Sequence, residues 1–319
     1  MSVRSPHDPP SAPVPWSGRS ADAPGVRVGA HVPAAGGLAK ALAHARAAGC
    51  EAFQVFVSNP RGWAPPAADP EGGERFRAAT AEAGLGPVFV HAPYLANLAS
   101  TSDQTWSRSR SLVAATLERA AAIGAAGLVV HAGYEMGGGR DRGLARTREA
   151  LLPLLDRDAG SGGGPDLLLE LTASGKGSMA ARFEEAAELL AACGDHPRLR
   201  VCLDTCHAHA AGYDLTGPAS ATAAVDELLA VVGDRVPLVH CNDTRDPLGA
   251  RRDRHWHVGQ GLIGDAGFAA VLAHPGLAGA AAVIETPGEL PEHTRDVARL
   301  KRLRDRARQP GRRAPAARP

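Results

Sequence analysis

The sequence predicts an α/β fold, a single closed (β/α)8 barrel with its active site at the carboxyl ends of the strands. Three observations carry that expectation. Eight short apolar or β-branched runs alternate strictly with eight Ala- and Leu-rich helical stretches, and such alternation implies a parallel sheet. The chain has 319 residues, a length that one α/β barrel fills alone. The first strand run ends in Gly29-Ala30-His31 and no GxGxxG follows it, so the open, doubly wound sheet, which is the alternative, lacks its phosphate-binding fingerprint.

The predicted strands are Val26–His31, Glu51–Val57, Pro87–His91, Gly127–His131, Asp166–Glu170, Leu199–Asp204, Val236–Asn242 and Ala281–Glu285. Helical patterns fall between them, around Leu38–Ala48, Glu74–Ala83, Trp106–Ile123, Leu144–Leu155, Arg182–Ala192, Ser220–Val232 and Asp265–Ala273. A last helix is expected over Leu290–Arg306. Residues 1–25 are rich in Pro, Ser and Asp and read as a disordered leader, 26–306 as the catalytic barrel, and 307–319 as a basic, disordered tail. Gly160–Gly164 reads as a flexible surface loop, since no helix follows it directly. The arginines from Arg299 onward read as a solvated helix end, or alternatively as a sequence-independent tether for nucleic acid.

Composition excludes several classes. A net charge of +1 rules out a polycation, so any nucleic-acid contact must come from a local basic surface. Cys50, Cys193, Cys202, Cys206 and Cys241 are odd in number and lack CxxC spacing, which argues against a disulfide framework and for a reducing cytoplasm. No apolar run approaches the ~20 residues of a membrane span, and no signal-peptide core is present.

Ionisable residues fall where the fold would place chemistry. Six of the eight predicted strands end on or beside a group able to bind a metal: His91, His131, Glu170, Asp204, His240 and Glu285. Carboxyl ends of barrel strands share one face, so groups scattered in sequence would converge in space. Converging unpaired carboxylates repel, and divalent cations relieve that repulsion. Asp204 and His207 share one predicted loop, and Asp253 and His255 lie on a long Arg-rich connection after the seventh strand. Five imidazoles with four carboxylates suit zinc best, with Mn2+ or Fe2+ also compatible, and exceed the needs of a single ion. Two or three ions are implied.

The segments GAHVPAAGGLAKA, HAPYLANLAS, CLDTCHAHAAGYDL, HCNDTRDPLGARRDRHWHVGQGLIG and VIETP resemble the signatures of the endonuclease IV family of zinc-dependent apurinic/apyrimidinic endonucleases. The resemblance runs from about Val26 to the last helix. It implies three zinc ions: one on His91, His131 and Glu170, a second sharing Glu170 with Asp204, His240 and Glu285, and a third on His207, Asp253 and His255. Glu170 and Glu285 would be the catalytic carboxylates. It also implies base-excision repair in the bacterial cytosol. The substrate would be double-stranded DNA with abasic sites or blocked 3′ ends, cut by a monomer 5′ to the lesion to leave a 3′-hydroxyl and a 5′-deoxyribose phosphate. Arg61 and Tyr94 match DNA-contacting positions, whereas Gly62 stands where the family pattern has a longer polar side chain. His31, His209 and His257 fall outside the implied ligand set and are expected to orient ligands or meet substrate; Trp256 and the cysteines are expected to pack. The competing readings are a xylose-isomerase-like sugar isomerase or epimerase, which has no evident use for His207, Asp253 and His255, and a catalytically silent DNA-binding barrel.

Overall fold

In the computed structural model, which describes residues 25–157 and 164–308, eight parallel strands pair in chain order and close, the first against the eighth. They are β1 (Arg27–His31), β2 (Ala52–Val55), β3 (Val88–His91), β4 (Gly127–His131), β5 (Asp166–Glu170), β6 (Leu199–Asp204), β7 (Leu238–His240) and β8 (Ala281–Ile284). Helices α1 (Leu38–Ala47), α2 (Pro70–Glu82), α3 (Asp103–Ala122), α4 (Arg140–Asp156), α5 (Phe183–Ala192), α6 (Thr205–Ala211), α7 (Pro218–Val232), α8 (Gly264–Ala273) and α9 (Leu290–Ala307) complete the (β/α)8 barrel.

Two differences from the sequence reading have physical causes. α6 is an additional helix where a loop was expected. Asp204 ends β6 and caps α6, its carboxylate accepting the His207 N–H at 2.8 Å, so one side chain closes both the strand and the helix behind it. Several helices also begin earlier than their apolar period does, because first turns such as Pro70-Glu71-Gly72-Gly73 and Arg140-Asp141-Arg142-Gly143 are polar or small. The expected leader and tail lie outside the described residues except for Gly25, Ala307 and Arg308, as does all but the end of the Gly160–Gly164 run.

Side chains alternate across a strand, and the alternation gives each strand an inward and an outward face. Ala52, Phe89, Val129, Leu168, Cys202, Leu238 and Val283 form one apolar cluster, while the outward set packs under the helices. Two residues further along each strand the same face carries Gln54, His91, His131, Glu170, Asp204, His240 and Glu285. On β1 the equivalent pair is Gly29 and His31; a methyl group on Gly29 would sit 1.6 Å from the Ala52 carbonyl oxygen, so only glycine allows β1 and β2 to approach. Register steps of two residues occur at the β2/β3, β3/β4, β5/β6 and β7/β8 junctions. They give a stagger of eight in all, the shear of this barrel class. The interior is thus an apolar floor beneath a polar collar to which every strand contributes.

At the opposite, amino-terminal end the last turns of α9 are tied to the start of β1 and to the residue before β2. Arg304 reaches Glu51 Oε1 at 3.2 Å and the Val26 carbonyl at 3.0 Å, and Glu51 also accepts the Val28 N–H at 2.9 Å. Arg299 pairs with Asp265 at 2.7 Å. These two arginines of the basic C-terminal run therefore hold α9 in place instead of facing nucleic acid. Burial pushes the Glu51 carboxyl up, but Arg304 and the Val28 N–H outweigh it and hold the carboxyl below the ordinary glutamate range. Stability from this contact is therefore present above the unfolded-state pKa of about 4.3 and is lost as pH falls through the depressed folded value. Glu51→Gln should lower stability by about 1–2 kcal/mol at neutral pH, a value discounted for partial exposure. Urea unfolding of both proteins should show that gap closing in acid; a gap independent of pH would contradict the assignment.

Candidate metal centre

The structure gathers the nine residues singled out in the sequence at the carboxyl mouth. His91, His131, Glu170, Asp204 and His240 end their strands, and Glu285 follows β8 by one residue. His207 lies in α6, and Asp253 and His255 lie between β7 and α8. Their donor atoms form overlapping groups within 4.8 Å: His91 with His131 and Glu170; Glu170 with Asp204, His240 and Glu285; and His207 with Asp253 and His255.

Glu170 joins the first two groups. Its Oε2 lies 2.9 Å from His91 Nε2 and 3.2 Å from His131 Nε2, while Oε1 lies 3.1 Å from His240 Nδ1 and 3.5 Å from His207 Nδ1. His240 Nδ1 is also 3.3 Å from Glu285 Oε2 and 3.8 Å from Asp204 Oδ2. In three of these imidazoles one nitrogen is held by a neighbouring carbonyl or amide oxygen. His91 Nδ1 donates to the Ala92 carbonyl at 2.6 Å, His207 Nδ1 to the Leu171 carbonyl at 2.8 Å, and His240 Nε2 to Gln54 Oε1 at 3.0 Å. Such contacts orient each ring with its other nitrogen toward the cluster, as metal-binding histidines require.

The third group differs in origin, since neither Asp253 nor His255 stands on a strand or helix. Asp253 Oδ1 lies 3.2 Å from His207 Nε2 and 3.1 Å from His255 Nε2. Both nitrogens are buried without a hydrogen bond. A buried polar atom without a partner is costly, and these two face one carboxylate oxygen from either side.

Carboxylates and imidazoles in the collar shift one another strongly. Burial would raise the Glu170 carboxyl, but His240 and His131 hold it well below the glutamate range. Burial opposes ionisation of Glu285 as well, and His240 and His31 overcome it. For Asp253 the same contest is won by His207 and His255. The imidazoles answer in the opposite direction: burial disfavours a charged His207, yet Asp204 and Asp253 push it up to about 10. His255, buried likewise, is pushed up to about 9 by the same two carboxylates. Ionised carboxylates beside oriented imidazoles are the donor set of borderline divalent cations, and the orphaned nitrogens of His207 and His255 fit a ligand role. The residues present therefore fit a multi-metal site.

A family model described as a xylose isomerase-like TIM barrel matches residues 42–306. A protein of Streptomyces avermitilis named a probable endonuclease 4 is 48% identical over 282 residues, covering 87% of this chain and 90% of its own length. Its namesake in Streptomyces coelicolor is 49% identical over 282 residues, covering 87% of this chain and 95% of its own length. The chain belongs to the endonuclease IV family. The crystal structure of endonuclease IV from Thermus thermophilus superposes with a TM-score of 0.78 at 39% identity, covering 88% of this chain and 99% of that one. A D-tagatose 3-epimerase-like protein reaches a TM-score of 0.68 at 18% identity, covering 89% of this chain and 99% of its own, a likeness of fold alone.

In this endonuclease IV family member the rim loops are stitched together. The Tyr94 N–H donates to the Pro60 carbonyl at 2.9 Å, tying the loop that carries Arg61 to the one that carries Tyr94. Both side chains are exposed, and the Tyr94 ring lies 5.6 Å from that of His91 and 5.9 Å from that of His131. Gly62 has no positive φ, and a methyl there would meet only the Asn59 side chain, at 3.3 Å or beyond, so the backbone does not demand glycine. All five cysteines are buried and free. Cys206 comes within 4.8 Å of donor atoms of Asp204 and His255, but burial and Asp204 push its thiol up, which keeps it protonated. His257 orients through Asp296 at 2.7 Å, and Trp256 packs under the Arg245 guanidinium at 3.8 Å.

Two contributors escaped the sequence reading. Gln54, fully buried, accepts from His240 and donates to Glu285 Oε1 at 2.8 Å; His31 Nδ1 meets the same Glu285 oxygen at 3.0 Å. Gln54 was hidden because the predicted second strand ran to Val57, which put the glutamine mid-strand. Asn242 donates to Asp204 Oδ2 at 2.7 Å and accepts the Glu285 N–H at 2.7 Å, linking three strand ends. Gln54→Leu removes an acceptor from His240 and a donor from Glu285 in a buried setting, and should cost about 1–3 kcal/mol. The midpoint of urea unfolding checks this. A loss under about 0.5 kcal/mol would place Gln54 outside the network.

Proposed function

We propose that this protein is a metal-dependent DNA-repair endonuclease. It would hydrolyse the phosphodiester 5′ to an abasic site in double-stranded DNA, leaving a 3′-hydroxyl and a 5′-deoxyribose phosphate, and trim blocked 3′ ends. The observation that carries the reading is the two-sided environment of Glu170, whose Oε2 meets His91 and His131 while Oε1 meets His240 and His207. A carboxylate so placed would serve two cation seats. The endonuclease 4 relatives support the reaction class. The isomerase or epimerase alternative gains no support from the group formed by His207, Asp253 and His255.

In this reading His91, His131 and Glu170 hold one ion. Glu170, Asp204, His240 and Glu285 hold a second, and His207, Asp253 and His255 a third, all zinc or with Mn2+ or Fe2+ at some positions. When bound, the ions supply Lewis acidity to the phosphodiester and to the water that attacks it. The chain's own groups do the rest. Gln54 and His31 fix Glu285 through Oε1, leaving Oε2 turned toward His240. Glu170 and Glu285 are the carboxylates on which the reacting centre is built. The apolar floor beneath the collar lowers the local dielectric and strengthens each of these interactions.

Substrate selection falls to the loops. An abasic nucleotide has lost its base, so turning it out of the duplex costs less stacking than extruding an intact one. Exposed Tyr94 and Arg61 stand on tied loops beside the collar, where an aromatic face and a guanidinium can occupy the gap. Arg251, Arg252 and Arg254 are exposed around Asp253 and offer phosphate contacts that a net charge of +1 does not advertise. The barrel over 26–306 would act as a monomer in the cytosol, with the leader and the basic tail outside the catalytic unit.

Incubating the protein with an abasic duplex should give nicks that a chelator abolishes and added zinc restores; nicking unaffected by chelation would sink the reading. Glu170→Gln should reduce cleavage by more than about 100-fold, because contacts one shell further out already cost about 10–100-fold in metal affinity or activity. Turnover near wild type would remove the bridging role.

A further inference from the structure

Asp243 has no part in the site described above, yet it is fully buried and its carboxylate accepts five backbone N–H groups. Oδ1 takes those of Thr244 at 2.9 Å and Ile263 at 3.0 Å; Oδ2 takes those of Gly259 at 2.9 Å, Gly261 at 3.0 Å and Gly264 at 3.3 Å. All five belong to the connection between β7 and α8 or to the first residue of α8. That connection carries Asp253 and His255, the two members of the third group that stand on no strand or helix. The Asp243 main chain adds a two-way bridge to Trp256, Trp256 N to Asp243 O at 2.7 Å and Asp243 N to Trp256 O at 3.2 Å, fixing the residue next to His255.

The other limb of the connection is tied to the helix that bears His207. Gly249 N donates to the His209 carbonyl and Arg251 N to the Ala210 carbonyl, each at 3.0 Å. Asp253 and His255 thus lie between one limb clipped to α6 and another clipped to Asp243. The cradle is tight: a methyl group on Gly261 would sit 2.3 Å from the Thr244 carbonyl oxygen and 2.4 Å from Asp243 Oδ1.

We propose that Asp243 is the positioning residue of the third cation seat, holding the β7–α8 connection so that Asp253 and His255 meet His207 before any ion arrives. The inference rests on the three-ion reading above. A carboxylate that gathers N–H donors from both ends of a long excursion removes the freedom that ion binding would otherwise have to remove. An asparagine cannot replace it, since its amide NH2 would face donors whichever way it turned. The residues of the other two seats stand on or beside strand ends, so the effect falls chiefly on one ion of three.

The test is metal content at controlled free zinc. Wild type, Asp243→Asn and Gly261→Ala are dialysed against buffered zinc, and bound metal is measured by elemental analysis, with circular dichroism reporting the fold. Gly261→Ala disturbs the cradle from the loop side, crowding the Thr244 carbonyl and the Asp243 carboxylate while leaving the carboxylate's charge in place. The expected result is three equivalents in wild type and two in each variant. The missing ion should return when free zinc is raised about 10–100-fold, the range for groups that orient ligands. Three equivalents in both variants at the wild-type zinc level would overturn the role of Asp243 while leaving the three-ion reading standing. Loss of all three ions together would overturn it too, as a fold defect that excess zinc does not repair. A wild type that takes fewer than three ions would overturn the parent reading, and this inference with it.

Discussion

A buried carboxylate whose two oxygens face different sets of imidazoles is the constraint around which this molecule is arranged. Glu170 is 1% exposed and its ion-pair partners come from β3, β4, β7 and α6. Burying a charge without compensation costs several kcal/mol, so each partner must arrive with the correct nitrogen forward. The Ala92 carbonyl secures His91 and Gln54 secures His240, while the Leu171 carbonyl holds His207 Nδ1 and turns its Nε2 toward Asp253. The negative charge of Glu170, Asp204 and Glu285 is then concentrated in a small volume over an apolar floor, where compensation by cations is most favourable.

Barrel geometry makes this convergence cheap. Parallel strands alternate their side chains, and the register steps bring polar groups of neighbouring strands to one end. His131 pairs directly with Glu170 and Asp204 with His240. The level below contains no charged group and packs as one cluster. The fold therefore offers rigid positions at the mouth without disturbing the core that stabilises it, and the groups set on strand ends are oriented further by Gln54, His31 and Asn242. Groups set on connections need support of their own, as the cradle around Asp243 illustrates.

Much of this was legible in the sequence, and the exceptions follow a pattern. Histidines and carboxylates at the ends of apolar runs stand out because an ionisable group there is expensive to bury without a purpose. Gln54 did not stand out, because glutamine in a strand carries no charge and the apolar run continued past it to Phe56 and Val57. α6 was missed because Asp204-Thr205-Cys206-His207 reads as a turn until the strand end is seen to serve as its own helix cap. The tie between Asp243 and Gly261 was invisible for a different reason. Carboxylate–backbone contacts across a long excursion leave no periodicity, and Gly259 and Gly261 resemble ordinary loop glycines.

The distribution of groups between strands and connections also bears on how one barrel serves different chemistries. The epimerase-like neighbour shares the fold at 18% identity, and fold alone does not assign a reaction. A close pair of ions on strand ends is compatible with proton shuffling on a sugar as well as with phosphoryl transfer. What separates the readings here is the group assembled from α6 and the β7–α8 connection, together with the exposed arginines around Asp253 and the tied rim that carries Arg61 and Tyr94. These elements are the ones the barrel does not position by itself. On the proposed function the specificity of the site is therefore invested in the connections, and the rigidity they need would come from contacts such as those of Asp243, not from the sheet.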